Sequence, residues 1–313
     1  MKPRSETIQK LLPFLSLIGL FIFLSIASPY FLTATNLSSV VRQTAVINIM
    51  ALGMTLIIVS GGIDLSVGSI LAFAGTLGTM TLAAGQPLAV GVLVGILCGL
   101  AWGFANGILI TSLKIPPFIV TLGTLGIVRG LTLIISGGLP VVGLPREFAF
   151  LGDGNVAGVP FVLLVLTVCA GLTYLVLHST KLGRYTYAIG SNVDAAVYAG
   201  IPVAFYTVCV YAIAGALTGL AGMIEASRLM TGQPTAGTGY ELQVIAAVVI
   251  GGGSLTGGEG SVIGTLIGAF IMGLLSNGSD LLGINPYLQQ AIIGAIIILA
   301  VALDEVRKRR FAT

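Results

Sequence analysis

Asp64 and Ser66 lie at the centre of Ser60-Gly61-Gly62-Ile63-Asp64-Leu65-Ser66-Val67-Gly68-Ser69, a break between two apolar stretches. Glycines interrupt a helix, and Asp64 or Ser66 can accept the orphan N–H bonds at the start of the next one. Irregular backbone within an apolar region is tolerated only where protein or water satisfies it, and broken helices recur at transport paths. The same residues also suit a tight turn with an ordinary aspartate cap, and the pattern leaves both open.

A second break, Gly251-Gly252-Gly253-Ser254-Leu255-Thr256-Gly257-Gly258-Glu259-Gly260-Ser261, repeats the pattern of glycines, polar residues and a Gly-Ser opening an apolar run. Two related halves are one explanation. A phosphate-cradling loop is disfavoured, since the Gly-Lys-Ser/Thr ending is missing. The third segment is Ser191 to Pro202. Ser191 and Asp194 have the spacing of a capping box. Val193 to Ala199 can form about two turns, Gly200 suits the C′ position, and Pro202 stops continuation. Ala195, Ala196 and Ala199 make this helix slim enough to enter a partner's cleft, although a bare surface helix has the same composition. Fourth, segments 137–160 and 224–240 carry Arg146, Glu147, Asp153, Glu225 and Arg228. These charges can dock an external protein or simply be solvated.

Enzymatic chemistry finds little to work with. His178 is the only histidine, so no histidine-rich metal cluster and no convincing Ser-His-acid triad can be assembled. Cys98, Cys169 and Cys209 are far apart within apolar stretches and read as small buried hydrophobes. With no P-loop, any use of ATP must come from another chain.

The elements that position these residues follow from composition. Of 313 residues, 56% are hydrophobic and only 8% charged, against about 25% charged in a soluble domain. Soluble, disordered and nucleic-acid-binding classes are thereby excluded. Charges are absent from Leu11 to Val41, Leu65 to Leu113, Gly154 to Thr180, Ala195 to Ile224 and Leu281 to Leu303. A spanning helix needs about 20 mostly apolar residues, and Gly85-Gln86-Pro87 divides the longest gap in two. The expected fold is an all-α polytopic membrane protein with ten spans: 11–28, 40–59, 64–84, 88–111, 118–136, 160–178, 203–223, 241–251, 262–279 and 288–303. The eighth is weakest, and is expected either to extend backwards or to pack short.

Lys2, Arg4, Lys10, Lys114, Lys181, Arg184, Arg307, Lys308, Arg309 and Arg310 fall on one side of this topology, and Arg42, Arg129, Arg146 and Arg228 on the other or within the membrane. The positive-inside rule then places both termini in the cytoplasm. Residues 1–28 have a charged start and small residues near Ser28, but their apolar stretch is long for a signal peptide, so an uncleaved first span is expected. The 44 glycines include a ridge at Gly91, Gly95, Gly99, Gly103 and Gly107 and the pair Gly215 and Gly219. Tight helix packing explains most of them.

Four stretches together resemble a known family. They are Gly61-Gly62-Ile63-Asp64-Leu65-Ser66-Val67-Gly68; Asn106-Gly107 followed by Ile115-Pro116-Pro117-Phe118-Ile119-Val120-Thr121-Leu122-Gly123; Ala188-Ile189-Gly190-Ser191-Asn192 through Ala195-Ala196 to Ala199-Gly200-Ile201; and Gly239-Tyr240-Glu241-Leu242 through Ile245 to Gly252. In this order they resemble the permease subunits of ribose-type bacterial ABC sugar importers, from about residue 36 to the C-terminus. The resemblance implies a ten-span permease of the cobalamin-importer class, occupying 1–313 as one domain of the bacterial inner membrane. It implies a second permease copy, ATPase subunits that use ATP and Mg, and a periplasmic sugar-binding protein, with no cofactor on this chain. Segment 181–202 becomes the coupling segment, with Ser191, Asn192, Asp194, Ala195, Ala196, Ala199 and Gly200 docking to the ATPase. An arginine at Ala196 is expected to break that docking. Asn48, Asp64, Ser66, Asn106 and Asn277 are candidates for the path or gate, and Arg146, Glu147, Glu225 and Arg228 for binding-protein docking. Gln243 stands where an acid is common and Glu259 where a basic residue is common, so neither guides substrate choice. The motifs do not select among ribose, other pentoses, galactose or related small sugars. A branched-chain amino acid permease is the near alternative. An ion-coupled carrier would have only Asp64 and Glu241 as intramembrane acids.

Overall fold

Backbone groups within a membrane must be satisfied inside the protein, so the long charge-free stretches form helices. The computed structural model describes the backbone of residues 3–312 and the side chains of residues 12–296, 298, 299 and 302. Lys2 and the side chains of Arg4, Lys10, Arg307, Lys308, Arg309 and Arg310, which enter the charge bias, lie outside the described residues.

The order is α1 (Pro3–Ala27), α2 (Ala34–Val59), α3 (Val67–Ala83), α4 (Leu88–Leu113), α5 (Pro117–Ser136), a 3₁₀ turn (Arg146–Phe148), α6 (Ala149–Asp153), a hairpin of β1 (Asn155–Val156) and β2 (Val159–Pro160), α7 (Phe161–Ser179), α8 (Lys181–Ser191), α9 (Val193–Tyr198), α10 (Val203–Leu229), α11 (Tyr240–Ile250), α12 (Val262–Leu281) and α13 (Pro286–Ala312). Every one of the ten expected apolar segments falls on a helix. Among the described residues, α2, α4, α5, α7, α10 and α12 are long and apolar enough to cross a membrane. Local chemistry sets the ends. Thr33 and Ser261 cap α2 and α12 through their hydroxyls, Pro117 opens α5, and Gly85 turns the chain between α3 and α4 at φ +81°.

Helix α2 is the central post. It is buried almost all round, as expected of a helix with no polar face, and α7, α10, α11 and α12 pack against it. The glycine ridge lies on α4 and meets α10 in antiparallel contact: Gly99 against Gly215 and Gly219, Gly103 against Tyr211 and Gly215, Gly107 against Val208. A methyl group on Gly99 would sit 2.8 Å from Gly219 Cα. Lipid offers no hydrophobic drive between helices, so this closeness of small residues supplies the attraction.

The eighth apolar segment packs short. Helix α11 has 11 residues, about 16 Å at 1.5 Å per residue, roughly half a bilayer core. The irregular stretch 230–239 covers the rest of the depth. It descends beside α3, with Gly232 against Thr79 and Gly237 against Gly68 and Leu71. The Arg129 guanidinium on α5 donates to the carbonyls of Pro234 (2.8 Å) and Ala236 (2.9 Å), satisfying backbone that no helix satisfies. The expected outer loop 224–240 is therefore corrected: residues 224–229 are the last turns of α10, and the remainder folds inward.

Candidate translocation and coupling site

At one end of the bundle lie α8, α9, the C-termini of α2 and α4, and the loop 251–261. The cap of α9 differs from the expected capping box. Ser191 is still helical, and its hydroxyl donates to Tyr187 O at 2.8 Å within α8. Asn192 has the extended backbone a cap requires, and its Oδ1 accepts from Ala195 N at 2.9 Å. Asp194 remains in the first turn of α9, where a negative charge suits the helix dipole. The helix ends in a Schellman motif: Gly200 N–H donates to Val197 O and Ile201 N–H to Ala196 O, with Gly200 at φ +77°.

Ala196 is the one buried residue of α9, at 4% exposure. It packs inward, so the expectation that it forms the docking face is corrected. A two-turn helix of small residues gives no sequence signal for which side faces the protein. The open surface consists of Val193, Asp194, Ala195, Val197, Tyr198 and Ala199, and Tyr198 is 91% exposed.

The three glycine-bearing segments singled out from the sequence meet here. Gly190 on α8 lies against Val59 O at the end of α2 and against Gly258, where a Cβ would come within 2.6 Å of Gly258 N. A Cβ on Gly257 would lie 2.9 Å from both Gly61 Cα and Gly190 Cα. Gly258 N–H donates to Val59 O (2.9 Å), and the Tyr187 hydroxyl donates to Gly260 O (2.8 Å). Backbone thus rests on backbone at Gly190, Gly257 and Gly258, with the Tyr187 hydroxyl as an added side-chain tie between α8 and the loop that opens α12.

Three of the five path candidates form one buried network behind this junction. Asp64 Oδ1 accepts from Ser66 N (2.7 Å) and Ser66 Oγ (2.5 Å). Asn106 Nδ2 donates to Ser66 Oγ at 2.9 Å, and Thr124 Oγ1 donates to Asn106 Oδ1 at 2.6 Å. The start of α3 is therefore held by Asp64, while the Ser66 hydroxyl makes no cap bond. Thr121 and Tyr211 reach Ile63 O from α5 and α10. Thr121, Thr124 and Tyr211 were not expected. Thr121 stands four residues after Pro117, one turn into α5, and is the clearest signal the sequence offered for them.

Asn48 and Asn277 stand apart from that network. Asn277 pairs with Asn36 through two amide bonds of 2.8 and 3.2 Å at the opposite end of the bundle. Asn48 lies on α2, where Nδ2 donates to Thr44 O and Oδ1 has no partner. The neighbouring Thr44 Oγ1 is also unpartnered. A buried polar group left so costs about 1–3 kcal/mol.

The opposite end carries the hairpin. Arg146 and Glu147 are exposed there. Glu225 is not: it is 5% exposed, gripped by Arg228 at 3.0 Å and reached by the Tyr240 hydroxyl at 3.3 Å. Glu225 is thus corrected from a docking residue to the buried half of a clamp, whose other half, Arg228, keeps 23% of its side chain exposed. They stand three apart on α10, which places them on one helix face. Gly152 N–H donates to Ser227 Oγ, whose hydroxyl donates to Phe148 O, seating α6 on α10.

A family model described as the permease component of branched-chain amino acid transport systems matches residues 36–301. The chain belongs to this permease family. As a member, it is a multi-pass protein of the bacterial cytoplasmic membrane. The ribose import permease RbsC of Bacillus subtilis is 44% identical over 298 residues, covering 95% of this chain and 92% of that protein. The ribose import permease of Escherichia coli is 42% identical over 296 residues, covering 92% of each. The D-allose permease AlsC of Escherichia coli is 38% identical over 284 residues, covering 90% of this chain and 87% of that protein. No solved structure matches the chain.

Proposed function

We propose that residues 1–313 form one transmembrane permease domain of an ATP-driven importer that carries a monosaccharide, ribose or a similar sugar, into the cell. The observation that carries this is the identity of more than two in five residues, over nine tenths of the chain, to permeases named for ribose import. Both termini face the cytoplasm, as does the α9 end. ATP and Mg bind to partner ATPase subunits, and this chain has no nucleotide site of its own. A second permease copy completes the channel unit. A sugar-binding protein delivers substrate at the hairpin end, where Arg146 and Glu147 stand exposed.

The mechanism follows from the junction. Closure of the ATPase pair moves α9 through Val193, Val197 and Tyr198. Because Gly190 bears directly on Val59 and Gly258, α8 passes that movement to α2 and to the start of α12 as a rigid displacement. Affinity resides in the binding protein, and the path holds sugar weakly so that it is released.

The test is a mild-detergent purification of the tagged chain with Val197→Arg beside wild type, together with uptake of labelled D-ribose. Val197 is exposed, so the fold tolerates the charge. An ATPase in about equal amount with wild type, lost with Val197→Arg, is the expected result. Equal recovery of ATPase and full uptake in the variant would sink the coupling assignment.

A further inference from the structure

Helix α8 joins α9 to the bundle, and its outer face carries charge. Gly183, Thr186 and Ile189 are buried, whereas Lys181 and Arg184 are exposed. These two stand three apart, on one helix face. Further along that face Ala188 and Ser191 are neutral, so the charge is confined to the first turn. Among the described residues neither cation forms an ion pair. That first turn lies at the membrane boundary. Helix α7 has 19 residues, about 28 Å at 1.5 Å per residue, enough to span the hydrocarbon core. Its exposed Val168, Leu172 and Leu175 present an apolar face to lipid almost to its end. Only Thr180 separates α7 from Lys181, and its hydroxyl caps α8 by accepting from Gly183 N at 3.3 Å. Aromatic rings mark the same depth. Tyr174 stacks on His178 with ring centres 4.1 Å apart. Tyr185, next to Arg184, meets Tyr206 edge-on at 4.9 Å, with Phe205 beside it. Tyrosines collect at the headgroup level of a bilayer.

We propose that Lys181 and Arg184 bind the headgroup phosphate of an anionic phospholipid in the cytoplasmic leaflet, and that this lipid anchors the outer face of α8. This rests on the importer function above, which puts the α9 end in the cytoplasm. Arg184 offers a planar fork of donors and Lys181 a compact charge, and a phosphate accepts from both. The start of α8 adds the partial positive charge of a helix N-terminus. Basic residues at the cytoplasmic surface attract anionic lipid, and their aliphatic stems lie along apolar surface while the charges reach the headgroups. A contact with the ATPase fits less well. Val193, Val197 and Tyr198 are uncharged and follow the far end of α8, whose 11 residues span about 16 Å. The lipid therefore steadies the first turn of the helix whose last turn, at Gly190, bears on Val59 and Gly258, and coupling depends on the charge of the bilayer.

The experiment uses the whole complex in vesicles of phosphatidylcholine, alone or mixed with phosphatidylglycerol. Two quantities are read: phosphatidylglycerol retained on re-extraction, by native mass spectrometry, and uptake of labelled D-ribose. Wild type should retain phosphatidylglycerol and import faster in its presence. Lys181→Gln and Arg184→Gln should each lower retention about fivefold, the attraction of one cation to an anionic surface. Together they should remove the lipid dependence of uptake, while Lys181→Arg keeps it. Both residues are exposed, so assembly with the ATPase should be unchanged. Wild-type retention and lipid dependence in the double variant overturn the proposal. Loss of the ATPase from the double variant also overturns it and makes the charged turn a protein contact. Rescue of uptake by inorganic phosphate in pure phosphatidylcholine overturns it in favour of a free-anion site. A complex that imports no ribose in any vesicle, yet loses phosphatidylglycerol on Lys181→Gln, refutes the importer function and supports the lipid site.

Discussion

At the α9 end, α8 reaches α2 and the 251–261 loop through glycines, with Gly61, Gly190, Gly257 and Gly258 in backbone contact. At the hairpin end the joints are side chains: Arg42 to Asp153 at 3.3 Å, Glu225 to Arg228 at 3.0 Å, and Asn36 to Asn277. Backbone contacts without side chains cannot change rotamer, so they carry displacement with little loss. The exposed Arg42–Asp153 pair can part and re-form at modest cost, whereas the largely buried Glu225–Arg228 pair parts less readily. The contrast suits a machine driven from one end and opened at the other.

Substitutions at the two ends sharpen or break this contrast. The largest effect is expected from Gly190→Val, since a side chain there collides with Val59 O and Gly258 N. It should destabilise the chain by about 1–3 kcal/mol and abolish uptake, measured by detergent-solubilised melting and by transport. Normal uptake would mean that the junction is loose. Next is Glu225→Gln, which leaves Arg228 with a neutral partner in a largely buried site. A loss of about 1–2 kcal/mol is expected, read as a lower melting temperature with ATPase recovery intact. The smallest is Arg42→Ala. Its partner Asp153 is 47% exposed, so a loss under about 1 kcal/mol is expected, and the gap from wild type should shrink as salt is raised.

Much of the fold was legible because charge gaps are long and glycine and proline mark the turns. The ten apolar segments and the Gly85 turn follow from that alone. For the weak eighth segment the sequence leaves a backward extension and a short helix both open; the structure has the short helix, because the inward path of 230–239 is held by Arg129 reaching it from α5. Sequence adjacency misled at Ser191, which has the residue type of a cap, because Asn192 beside it is as good a cap and Ser191 bonds back into α8. Glu225 read as a loop charge because an acid within a span is expensive. The i,i+3 arginine that neutralises it was visible in the sequence and would have placed it on the helix. Which face of α9 is open and which polar residues are paired are tertiary facts, carried by no local pattern.

The half-length of α11 bears on how the chain is made. Eleven residues give an emerging polypeptide no segment that stays in a bilayer by itself, and the irregular 230–239 backbone is worse placed still. That stretch becomes tolerable in lipid only when Arg129 and the flank of α3 are already there to receive it. Both precede it in the chain. The linear order of the elements thus makes Arg129 and α3 available before the irregular stretch emerges, while α12 and α13, which also pack on α11, follow it.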